Sequence, residues 1–185
     1  MIGTIVMLSG CSSKSNFYQL HTSETAAENK SRHITRNIVG VAKVEVAEYL
    51  DKPQVVTRLS EGELKLHETQ RWAGSFADNI QRVLTYDLSR ALPSKNFIAA
   101  PWEEPLTDRH RIYLTVDRFD GDANGTVTLE GRWSLVDREE DRLVTGEKIY
   151  LVGHGSPTVS GIVSTQSRML EQLSRSMAAK LRRYL

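Results

Sequence analysis

Few side chains in this 185-residue sequence stand at spacings that chemistry would use. Asp120-Gly121-Asp122-Ala123-Asn124-Gly125 has the opening pattern of a calcium loop, which needs a bidentate glutamate at its twelfth position. That position is Gly131, Glu130 stands one place early, and both flanks are patterned as strands. Asp, Asn and Gly are equally the residues of a hairpin turn, because they tolerate positive φ; the turn is the expectation. His154-Gly155-Ser156 sets a histidine near a hydroxyl, but no nucleophile elbow accompanies it and Pro157 follows, so a loop is expected. His21, His33, His67 and His110 lack the spacing of a metal-binding helix, Glu103 and Glu104 lie between Pro101 and Pro105 in an expected solvated loop, and no glycine-rich phosphate loop is present. A single cysteine forms neither an internal disulfide nor a cysteine-based zinc site. No catalytic residue, metal or cofactor is expected, apart from a covalent lipid discussed next.

Cys11 is the exception to this quiet inventory. It closes an uncharged run, Met1 to Gly10, that is too short to span a bilayer but has the size of a signal-peptide apolar region. Leu8-Ser9-Gly10-Cys11 resembles a lipobox, in which small residues admit the peptidase and the thiol is the nucleophile that accepts a diacylglyceryl group. Residues 1–10 are therefore expected to be the remnant of a signal peptide, whose basic opening is not among them, and Cys11 the lipidated residue. The polar stretch to His33, interrupted by Phe17-Tyr18-Gln19-Leu20, is expected to be a tether with a short edge strand. As a flexible coil it would reach on the order of 25 Å.

Composition agrees with one folded domain over residues 34–185. A formal charge of +1 argues against a protein built to grip nucleic acid, and 39% apolar residues suit a globular core. Ile38, Gly40, Ala42, Val44 and Val46 alternate with Lys43 and Glu45 as a half-buried strand would. Gln54 to Leu59 and Leu64 to His67 flank Glu61-Gly62-Glu63 as a hairpin. Ser75 can cap a helix bearing Phe76, Ile80, Val83, Leu84, Leu88, Ala91 and Leu92 on one face, stopped by Pro93. Strands follow over 111–119, 126–136 and 143–152, with Trp133 in the core. A final helix after Pro157 carries Ile162, Val163, Met169, Leu170, Leu173, Met177, Leu181 and Tyr184 as its apolar positions. The expectation is an α+β two-layer sandwich: a mainly antiparallel sheet of about six or seven strands with two amphipathic helices on one face. The last helix also bears Arg168, Arg175, Lys180, Arg182 and Arg183 against Glu171, either a solvated face or a docking surface for acidic groups or lipid head groups.

Several segments together resemble one family. Glu48-Tyr49-Leu50-Asp51-Lys52-Pro53-Gln54-Val55-Val56-Thr57-Arg58 is similar to its "YLDRPQIVTR" signature, with Lys52 for Arg and Val56 for Ile, and follows a similar strand, Gly40 to Val46. Arg71-Trp72-Ala73, Asp78-Asn79-Ile80, Arg118-Phe119-Asp120-Gly121, Arg132-Trp133 and Gln166-Ser167-Arg168 complete the resemblance, which runs from Cys11 to the last helix. The family is the auxiliary lipoproteins of ABC-type transporters, of the PqiC/YmbA intermembrane-transport type.

The resemblance implies a non-enzymatic, lipid-anchored outer-membrane protein that faces the periplasm and works with an MCE-domain transport protein in moving lipid between membranes. Ser12 after the cysteine fits outer-membrane sorting in that family's hosts. Tyr49, Pro53, Gln54, Arg58 and Trp72 are the candidate partner-binding residues, with Trp102 beside them, since exposed aromatic and arginine side chains anchor interfaces. A ring-shaped homo-oligomer would suit a tubular partner, and no nucleic acid is expected. A stand-alone periplasmic lipid-binding carrier and a purely structural envelope lipoprotein are the alternatives.

Overall fold

A computed structural model describes residues 14–22, 38–102 and 108–185. Cys11, His33, Glu103 and Glu104 lie outside the described residues, as does the lipobox. The elements are β1 (Asn16–Tyr18), β2 (Ile38–Val41), β3 (Glu45–Val46), β4 (Gln54–Ser60), β5 (Glu63–Trp72), α1 (Phe76–Ala91), β6 (Asn96–Ala99), β7 (His110–Asp122), β8 (Thr126–Asp137), β9 (Arg142–His154) and α2 (Val159–Leu181).

The α+β class is as expected, but the sheet is larger, with nine strands among the described residues, and partly parallel. Its organising strand is β7. On one edge β7 pairs antiparallel with β8 along nearly its whole length, and β8 with β9. On the other edge it takes three short parallel partners in succession: β2 at His110–Ile112, β3 at Thr115–Val116 and β4 at Gly121–Asp122. β6 adds to β2 in parallel, while β5 pairs antiparallel with β4 and carries β1. Alternation of apolar residues marks a strand's faces but says nothing of its neighbour's direction, which is why the parallel half was not foreseen.

The single strand expected over Ile38 to Val46 is two pieces, and the break explains a face reversal. Val39 and Val41 are buried before it and Val44 after it, so odd positions face the core first and even ones afterwards; the intervening residues absorb the half-turn of the chain. The tether expected over residues 11–33 is likewise not wholly outside the domain. Leu20 is 1% exposed within the core and the amide of His21 donates to Ser167 Oγ.

Both helices pack on one face of the sheet and against each other. Ser75 Oγ accepts from the Asp78 amide and Thr158 Oγ1 from the Gly161 amide, so each helix starts on a hydroxyl N-cap that satisfies an orphan donor. Phe76, Ile80, Val83, Leu84 and Leu88 are fully buried or nearly so, as are Ile162, Leu170, Met177 and Leu181. Tyr184 is not: α2 ends at Leu181 and leaves it exposed. Trp133 lies in the core as expected. Two buried amides fasten the layers together: Gln81 donates to the Val41 and Ala42 carbonyls, and Gln166 to the Phe119 carbonyl at 2.8 Å.

Candidate functional site

Among the described residues neither helix covers the opposite face of the sheet, and the candidate site is built there. Along β7, Phe119 is fully buried on the helix side and a methyl group on Gly121 would meet Ile162 of α2. Asp120 between them therefore points to the open face. It is nevertheless fully buried, because side chains from two other segments close over it. Arg58 at the end of β4 donates to both its oxygens, Nε to Oδ1 at 3.0 Å and Nη2 to Oδ2 at 2.9 Å. Tyr49 Oη donates to Oδ2 at 2.6 Å, and Arg118 Nε to Oδ1 at 3.3 Å. A carboxylate with two guanidiniums and a phenol is a charge-assisted network in which every acceptor is used. Burial and the adjacent carboxylate push the Tyr49 hydroxyl well above its ordinary range, so it stays a donor.

The network continues across the open face. Arg118 also approaches Glu130 at 3.6 Å on β8, and Glu130 is the register partner of Tyr150 on β9. Tyr150 is 71% exposed, and Val152, Leu143 and Tyr113 are exposed too. A row Tyr49, Arg58, Arg118, Glu130, Tyr150 thus crosses from the segment before β4 to β9, which among the described residues pairs with β8 alone. Aromatic and arginine side chains over a rigid sheet are the chemistry of a protein-binding surface.

The structure brings Tyr49 and Arg58 together and separates the rest. Pro53 is exposed where β4 begins, and half-buried Gln54 donates to Glu68 on β5 at 3.1 Å. Trp72 is not an exposed anchor: it is 5% exposed and stacks on Phe76 with ring centroids 4.5 Å apart, because it ends β5 with its side chain toward α1. Trp102 is half-buried, donating to the Ile98 carbonyl beneath the guanidinium of Arg111. Arg111 in turn is bidentate to the buried Asp108, which also takes Arg138.

The calcium-like loop is a hairpin turn in which Asp122 Oδ1 accepts the amides of Asn124 and Thr126, and Asp120 is committed to arginines. Among the described residues no group of three His, Cys, Asp or Glu side chains is placed to hold a metal. The basic residues of α2 are largely engaged: Arg168 with the His154 carbonyl and Thr165, Arg175 with Glu171, Lys180 with Glu147 and Arg182 with the Ala91 carbonyl. Sequence reasoning missed Asp120 as the hub, since its turn-like context hid a partner 62 residues away.

Comparison with known proteins agrees with this architecture. Residues 18–178 match the model of the ABC-type transport auxiliary lipoprotein component, and the chain belongs to that family. No curated protein matches. Among solved structures, an uncharacterised protein superposes with a TM-score of 0.74 at 22% identity, covering 91% of this chain and 99% of its own. A Xanthomonas campestris protein of the DUF330 family gives 0.68 at 18% identity, over 90% of this chain and 94% of that one. PelC from Paraburkholderia phytofirmans, a dodecamer, gives 0.50 at 13% identity, over 81% and 95%. At these identities the likeness is one of fold. Among the described residues no helix is long and apolar enough to cross a membrane.

Proposed function

We propose that this chain is a non-enzymatic lipoprotein, anchored through Cys11 to the periplasmic side of the outer membrane, whose domain docks an MCE-domain protein spanning the periplasm. The observation that supports this reading is the one-sidedness of the domain. Both helices cover one face, while the other presents an ordered row from Tyr49 to the exposed Tyr150. Membership in a transport-auxiliary lipoprotein family supplies the context. Several acyl chains on one cysteine would give stable attachment where one chain binds only marginally. A ring of copies belongs to the same proposal, as the PelC fold occurs in a dodecamer. Co-purification of the tagged full chain with a co-produced MCE-domain protein tests it. The proposal expects a stable complex that Tyr150→Glu weakens, and the absence of any complex with the wild-type chain overturns it.

A specific feature favours a second reading, a lipid carrier in its own right. A mainly apolar trough of about 630 Å³ runs between α1 and β6, lined by Tyr86, Phe97 and Ile98 together with Lys95 and Arg82. Solvent extraction and mass spectrometry of the purified chain decide it: stoichiometric lipid supports a carrier, and none excludes it.

A further inference from the structure

Asp87 is the one carboxylate among the described residues that is buried with neither oxygen accepting a hydrogen bond. Its side chain is 4% exposed, and Arg90 Nη1 forms an ion pair with Oδ1 at 4.0 Å, beyond hydrogen-bond length. Buried polar groups are nearly always satisfied, so this one requires a reason. It lines a cleft of about 370 Å³ between the C-terminal halves of the helices, with Arg90 on α1 and Glu171, Arg175 and Arg182 from α2 and its end. The cleft stays open because Ala91 and Ala178 are too small to fill the space between the helices.

Charge in the cleft is layered. The buried Asp87 lies at the base, close to where both helices end: α1 at Ala91 and α2 at Leu181, with Arg182 donating to the Ala91 carbonyl. Two helix C-termini add partial negative charge there and favour a cation. At the mouth, Arg175 is 71% exposed and paired with Glu171, and Arg182 is exposed and spends one N–H on the Ala91 carbonyl, so both guanidiniums keep further donors for an anion. A plain anion would reach a carboxylate whose oxygens accept no hydrogen bond, and a plain cation would have to pass the guanidiniums. A small group with a hydrogen-bonding ammonium in front and an anion close behind meets both layers.

We propose that this cleft binds a phosphoethanolamine group, its primary ammonium donating to Asp87 and its phosphodiester lying between Arg175 and Arg182. The volume suits a head group and not a whole lipid. Either a lipid or a soluble glycerophosphodiester could present that group. The cleft lies on the helical layer, away from the Tyr49–Asp120 face, and the proposal stands whether or not that face docks a partner.

Calorimetric titration of the purified full chain with glycerophosphoethanolamine, glycerophosphocholine and glycerol 3-phosphate tests it, alongside co-flotation with phosphatidylcholine vesicles with and without phosphatidylethanolamine. The ethanolamine diester should bind at least about tenfold more tightly than the other two, since the trimethylated head cannot donate to Asp87 and glycerol 3-phosphate carries no cation. Asp87→Asn and, independently, the surface variant Arg175→Ala should each weaken it about tenfold or more with unchanged circular dichroism. Preference for the soluble diester, for phosphatidylethanolamine vesicles, or for both assigns the source of the group. Equal binding of glycerol 3-phosphate, or binding of none of the probes, overturns the proposal.

Discussion

Asp120 carries the most consequence of any single residue on the open face. Fully buried and bonded to Arg58, Arg118 and Tyr49, it neutralises cations that would otherwise be stranded. Asp120→Ala should cost about 3–5 kcal/mol, because removing one partner of a buried ion pair leaves the others uncompensated. Tyr49→Phe, which deletes one hydrogen bond to a charged acceptor, should cost about 2 kcal/mol; urea unfolding of both variants checks the order. Asp87 behaves oppositely. Burial, opposed in part by Arg90, raises its pKa from 3.8 to about 6, with Glu171 adding to the rise and Arg175 opposing it. The folded state then holds a proton that the unfolded chain has released, so stability from this group falls as pH rises from 3.8 to about 6. Asp87→Asn should remove that fall, on the order of 1–3 kcal/mol, seen as a flatter melting temperature between about pH 4 and about pH 6. Asp87 was partly legible, since it lies on the apolar arc of Leu84, Leu88 and Ala91, where a carboxylate is out of place. Asp120 was not, because no local pattern tells a residue that its partner is on another strand.

At the scale of elements, the periodic segments were legible and the short ones were not. Ser75 and Thr158 start the helices, and the apolar stripes of Phe76 to Leu88 and Ile162 to Leu181 settle onto the sheet. The Glu61–Gly62 turn joins β4 to β5 as the pattern required. β6 has only four residues and β3 two, too few for any periodicity, and both owe their conformation to the β2 and β7 edges they join. The length of β7 makes this possible, and a bulge between Val116 and Arg118 bends it. Gly131 faces that bulge on β8, and a Cβ there would lie 2.2 Å from the Thr115 carbonyl oxygen. Gly131→Ala must therefore displace backbone, and we expect a loss of about 3 kcal/mol or more, measured by thermal unfolding. A Gly62→Ala control in the β4–β5 turn, where a Cβ meets nothing within 4 Å, should cost well under that.

At the scale of the whole molecule, the proposed lipid anchor at Cys11 and the proposed docking face belong to one chain. Cys11→Ala should move the chain from the membrane fraction to the soluble fraction; persistence in the membrane would contradict lipid attachment as its anchor. The family signature from Tyr49 to Arg58 was legible as a segment, yet its residues have divided roles. Tyr49 and Arg58 hold Asp120, Pro53 stays exposed, and the separate Trp72 belongs to the core. Docking through the open sheet face is the central claim, and a photo-activatable residue placed at Tyr150 on that face, or at Tyr86 on the helical layer, tests it most directly in cells. The account predicts a cross-link to the MCE-domain protein from position 150 and none from position 86. A cross-link from position 86 with none from position 150 would contradict it.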